Sequence, residues 1–348
     1  YNNLGNALKE QGCLERAINS YRLALNVDPN YAEAHHNIAL ILKSKGDLIS
    51  ALRSWERARK IKPNDRKIYL NLGFMLQGLT FTKSFPGLEN TILDLLSINN
   101  LVRPSNIVNA AISLLKFNPL MIESLSRKIK LKDKDTNAKT LASLSKIPLL
   151  LKLMGLCPIP DLKIEKLLTS LRKYILCNVQ NLSEDQETLN FCLALALQCY
   201  TNEYIYKVTK KENNALLELE GFVAEGLKLG IQPSLVSLTC LASYRSLYLY
   251  SWSKLLEPRV ALKALFIRQI SEPLQEKKLI KNIPKLTKIN DNTSSKVRAQ
   301  YEENPYPRWV CLGLPLEAKS ISQIVDDCCL NIRNNSILSV ASPKILVA

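Results

Sequence analysis

Leu4-Gly5-Asn6-Ala7-Leu8 is followed 34 residues on by Ile38-Ala39-Leu40-Ile41-Leu42, and 34 further by Leu72-Gly73-Phe74-Met75-Leu76. The register holds outside these runs. Ala17 matches Ala51, Tyr21 matches Trp55, Ala24 matches Ala58 and Pro29 matches Pro63. Small residues recur where two helices must approach closely, and a large aromatic recurs where a hole must be filled. Proline recurs where the second helix must stop, because its ring and missing N–H break the ladder. The spacing predicts helix pairs: Asn2–Gln11 with Leu14–Asn26, then Ala32–Ser44 with Leu48–Ile61, turning at Gly12 and Gly46-Asp47. A fifth helix, Arg66–Leu76, opens a third unit, which decays at Phe85-Pro86.

This period and residue pattern resemble the tetratricopeptide repeat. The resemblance implies two units plus a capping helix over residues 1–77, with a concave groove that holds a protein or peptide. Asn2, Asn6, His36, Asn37 and Asn71 are the expected groove residues. The two histidines of the chain, His35 and His36, point to different helix faces, and no third ligand accompanies them, so no metal is expected. His35 falls at a packing position. Solenoids need about three units, so further repeats are expected before Tyr1.

With 348 residues, 47% of them hydrophobic, the chain is long enough for two or three domains. Its net charge of +16 invites a nucleic-acid reading. The lysines are instead spread along the chain among Glu and Asp, and no nucleic-acid motif accompanies them, so no such partner is expected. Nine cysteines in no pairing rhythm, without a Cys-x-x-Cys, predict free thiols in a reducing cytoplasm. Ile147–Cys157 is the most apolar stretch, but it is short and holds Pro148 and Lys152. It does not reach the roughly 20 apolar residues a membrane span needs.

From 78 to 289 the repeat is lost but helical periodicity continues, predicting an all-helical middle domain. Helices are expected over Leu88–Leu96, Pro104–Leu115, Ile159–Leu176, Glu187–Thr201, Ala215–Leu229, Ser234–Trp252 and Pro258–Ile270. Two stretches are richer in polar groups than packing requires: Gln198–Tyr206 and Ala242–Tyr248. Asn202, Glu203, Tyr204, Tyr244 and Arg245 have two open readings. One is a polar network that fixes the core. The other is a substrate lining in which Glu203 acts as acid or base.

The composition shifts at Lys288–Ser295, which reads as a linker into a third region, 290–348. Gln300-Tyr301-Glu302-Glu303-Asn304-Pro305-Tyr306-Pro307-Arg308-Trp309 follows, then a capped helix from Ser320 to about Asn331. Pro343-Lys344-Ile345-Leu346-Val347-Ala348 reads as a buried strand opening an α/β sheet. The Gln300–Trp309 run and this strand resemble a bacterial family in which tetratricopeptide repeats precede a class I methyltransferase domain. Gln198–Tyr206 and Glu272–Leu286 resemble that family's helical spacer. The resemblance implies a parent protein that transfers a methyl group from S-adenosylmethionine to an unknown acceptor. For Tyr301, Tyr306, Arg308 and Trp309 the resemblance implies one of two roles: the cofactor side, through aromatic stacking and carboxylate pairing, or a clamp that docks the linker onto the methyltransferase domain. The family's Gly-rich cofactor turn would come after Ala348, so the chain reads as a piece cut at both ends, with no complete catalytic set. It is not expected to hold the cofactor tightly. Two alternatives are a repeat-bearing glycosyltransferase of the N-acetylglucosamine type and a non-catalytic scaffold. The expected fold class is thus an all-α solenoid and helical domain, with only the first strand of a Rossmann-like domain.

Overall fold

A computed structural model describes residues 1–98, 101–127, 133–280, 291–303, 310 and 320–323. Those residues are almost entirely helical, and no strand occurs among them. The repeat helices are α1 (Asn2–Glu10), α2 (Leu14–Val27), α3 (Ala32–Ser44), α4 (Leu48–Ile61) and α5 (Arg66–Leu76). Gly12 and Gly46 make the turns within the pairs at φ +76° and +80°, a left-handed conformation that side chains disfavour. Asp47 and Asp65 cap α4 and α5, each accepting a first-turn N–H at 3.1 and 2.9 Å.

The middle of the chain is α6 (Leu88–Ser97), α7 (Pro104–Leu115), α8 (Pro119–Ser126), α9 (Lys134–Ser145), α10 (Pro148–Leu156), α11 (Leu162–Asn178), α12 (Gln186–Thr201), α13 (Lys210–Lys228) and α14 (Leu235–Ala242). Then come α15 (Lys263–Phe266), a π-helical segment at Ile267–Ser271, α16 (Glu272–Ile280) and α17 (Asn292–Glu303). Proline occupies the first turn of α7, α8 and α10, where its missing N–H costs nothing.

The structure corrects the expected helices in four places. Ser234–Trp252 is not one helix: α14 stops at Ala242, and two short 3-10 turns, Leu247–Leu249 and Ser253–Leu255, carry the chain on. Pro258–Ile270 likewise breaks into a 3-10 turn, the four residues of α15 and the π segment. Helix α13 begins at Lys210, not at Ala215, because Thr209 and Glu212 form a reciprocal capping box there. Helix α17 begins at Asn292, within the stretch read as linker, and the Asp291 carboxylate accepts the Ser294 N–H at 2.7 Å. The Ser320 helix shows its predicted cap, Ser320 and Gln323 bonding each other's N–H, while the strand over 344–348 lies outside the described residues.

Two apolar clusters hold the molecule. The first repeat packs Leu8, Ala17, Ile18, Tyr21 and Ala24 against Ala34, Ile38 and Ile41 of α3. A far larger core starts at Ala39, Leu52 and Trp55 and runs without interruption through Leu72, Leu76, Leu95 and Leu115 to Leu265 and Phe266. This core holds residues on both sides of position 77, where Gln77 itself is exposed. Arg59 of α4 also pairs with Asp94 of α6 at 2.8 Å.

Candidate functional site

The first helices of the repeats, α1, α3 and α5, carry the expected groove residues. Between α3 and α5 lies a pocket of about 360 Å³, lined by Glu33, His36 and Asn37 with Lys62, Asp65 and Lys67. Asn37 faces α1. Its amide donates to Asn6 Oδ1 at 3.1 Å and to Asn2 Oδ1 at 3.4 Å. Asn6 Oδ1 also accepts the Tyr21 hydroxyl at 2.7 Å. Three of the expected groove residues, Asn2, Asn6 and Asn37, thus form one row across two repeats. Asn6 Nδ2 and Asn37 Oδ1 carry no hydrogen bond among the described residues.

His36 is half-buried at the end of this row, and its Nδ1 accepts the Trp55 indole N–H at 3.2 Å. That bond requires a ring unprotonated at Nδ1. Burial holds the His36 pKa below its ordinary value, Lys9 and Lys67 push the same way, and Asp65 and Glu33 oppose them. His35 is buried and bonds the Pro29 carbonyl, as its packing position predicts. Asn71 stands apart: its amide donates to the Lys67 carbonyl at 2.9 Å within its own helix.

The polar stretches of the middle region are largely taken up in bonds within the core. Tyr244 is buried, and its ring lies 4.2 Å from the guanidinium carbon of Arg172, which is itself only 1% exposed. Its hydroxyl donates to Glu212 Oε1 at 3.1 Å. Arg172 bonds the carbonyls of Ser243, Tyr206 and Lys207 at 3.4, 3.2 and 3.1 Å. Burial works to raise the Glu212 pKa, but bonds from Thr209 and Tyr244 and the charge of Lys173 outweigh it and hold it low. Arg245, the next residue in the chain, is exposed, 4.0 Å from Glu220. Asn202 is buried, Glu203 and Tyr204 both turn left-handed at φ +56° to end α12, and the Tyr204 hydroxyl reaches the Ala242 carbonyl at 3.4 Å.

Arg172 and Glu212 anchor this network, and sequence reasoning did not single them out. A lone arginine on the otherwise apolar face of α11 was the available signal for one. The Thr-x-x-Glu cap was the signal for the other. Gln269 and Gln198 act in the same way. In the π segment, Gln269 accepts the Leu247 N–H and donates to the Ala242 carbonyl, both at 3.1 Å. Gln198, with its amide turned to suit its neighbours, donates to the Met154 and Cys157 carbonyls.

Of the four residues that the resemblance places on a cofactor side, Tyr306, Arg308 and Trp309 lie outside the described residues. Tyr301 is in α17. Among the described residues no group of three or more His, Cys, Asp or Glu could hold a metal, and no helix is long and apolar enough to cross a membrane.

Comparison with known proteins agrees with the repeat end. Residues 5–46 match the TPR repeat family. No curated protein matches the chain. Repeats of this kind typically bind proteins or peptides, and the helical architecture fits a solenoid.

Proposed function

We propose that the concave face of the repeats binds a segment of another protein in extended form. The Asn2–Asn6–Asn37 row carries this reading. Asn37, which lines the pocket, keeps an acceptor, and Asn6, bonded to it, keeps N–H donors, the pair of groups a peptide unit offers in return. Glu33, Asp65, Lys62 and Lys67 put both charge signs around it, which favours backbone recognition over a ligand of one charge. Selection of a random-peptide library on the 348-residue chain tests it. Selected peptides should lose at least tenfold in affinity for Asn6→Ala, about 1.4 kcal/mol. Undiminished binding by a folded Asn6→Ala chain would overturn it.

A second part rests on Gln300–Trp309 and Pro343–Ala348. There the repeats bring a protein acceptor to a methyltransferase domain that uses S-adenosylmethionine, with Tyr301, Tyr306, Arg308 and Trp309 on the cofactor side. Equilibrium dialysis of S-adenosylmethionine against the product of the whole natural gene tests it. Saturable binding that Trp309→Ala weakens is expected, and no binding counts against it.

A further inference from the structure

A pocket of about 670 Å³ lies outside the repeats, between α8 and α11. Four cations surround it: Lys116, Arg127, Lys163 and Lys166. Two are already matched. Lys116 pairs with Asp161 at 2.7 Å, and Arg127 pairs with Glu123. Asp161 also accepts the Lys163 and Ile164 N–H groups at the start of α11, each at 3.0 Å. Lys163 and Lys166, one turn apart on α11, have no ion partner among the described residues. Arg127 keeps Nη1 buried without a partner, and Ser124, wholly buried on the same wall, has a hydroxyl in the same condition. Buried donors are rarely left unpaired unless a ligand or water meets them. The remainder of the wall is apolar: Ile122, Leu125 and Leu167.

We propose that this pocket binds a phosphate monoester of a small organic molecule. A phosphate monoester carries roughly −1.5 to −2 charges at pH 7, which matches the two unpaired lysines. Its oxygens would meet the exposed ammonium groups of Lys163 and Lys166, and its organic body would lie on Ile122, Leu125 and Leu167. A volume of about 670 Å³ is in the range of small-molecule sites, roughly 300–1,000 Å³, and is far more than an inorganic phosphate fills.

Phenyl phosphate is the minimal probe, followed by ligand-observed NMR and calorimetry on the 348-residue chain, with phenol, inorganic phosphate and a 12-nucleotide single-stranded RNA for comparison. Saturable binding of phenyl phosphate, at least tenfold tighter than either fragment, is expected. It should weaken at least tenfold in Lys163→Glu/Lys166→Glu and less than twofold in Lys210→Glu/Lys228→Glu, an equal charge change on exposed residues of α13. Circular dichroism confirms folding of both. Absence of saturable binding, or equal losses in the two double variants, would overturn the proposal. RNA binding lost with Lys163 and Lys166 while phenyl phosphate fails to bind would overturn it too, and would give the patch to a nucleic acid.

Discussion

Gly5 shows how tightly a single position constrains the repeats. A Cβ there would stand 2.5 Å from Tyr21 Cε1, and that ring is fully buried with its hydroxyl held by Asn6. The ring cannot move aside without leaving the core. Gly5→Ala should therefore destabilise the chain by about 1–3 kcal/mol despite the better helix propensity of alanine, which urea unfolding will read directly. His36 supplies a second test. Its folded pKa lies below the unfolded value of about 6.5, so between the two the unfolded chain binds more protons. Its contribution to stability is present above that unfolded value and is lost as pH falls from there through the lower folded value. Protonation also costs Nδ1 its role as acceptor for Trp55. Melting temperature should drop from pH 7.5 to 5.5, and His36→Gln should flatten the slope. An unaltered slope in that variant would show that the ring does not drive the effect.

At the scale of the element, buried polar side chains do more than apolar periodicity to decide where helices stop. Tyr244→Phe removes a bond to the buried Glu212 carboxylate and leaves Arg172 its ring partner. A loss of about 1–3 kcal/mol is expected in denaturant unfolding, with Tyr248→Phe as an external comparison near zero. The same physics explains what could be read from the chain. Residues Ala32–Ser44, Leu48–Ile61, Arg66–Leu76 and Pro104–Leu115 follow apolar spacing with a proline, glycine or aspartate at an end, and they form the helices so predicted. Ser234–Trp252 has the same spacing, yet the helix ends at Ala242, because Gln269 takes up both the Ala242 carbonyl and the Leu247 N–H from 22 or more residues away. Nothing local reports such a partner. Helices α8 and α10 are eight and nine residues long, too short for a period to emerge. Asn2, Asn6 and Asn37 could be named from the helices that open each repeat, but their bonding to one another could not be read there. The α8–α11 pocket was not legible, since its cations come from three separate segments.

Over the whole molecule, the thiols provide a test of packing. Burial pushes Cys157, Cys192 and Cys199 up to about 12, and Cys240 also well above its ordinary value. Such groups stay protonated and shielded. Exposed Cys177 and partly exposed Cys13 are different. Mass mapping after brief iodoacetamide treatment at pH 8 should find Cys13 and Cys177 alkylated and those four untouched until denaturant is added. Early labelling of Cys192 or Cys240 would contradict the packing of α12 on α14.

The apolar core that begins at Trp55 extends past the repeats to Phe266. Helices α3 and α5 are therefore rooted in the same packed core as the helices beyond them. Tension from a captured partner would travel into that core as through the shank of a tool, so that the grip and the mass behind it turn together.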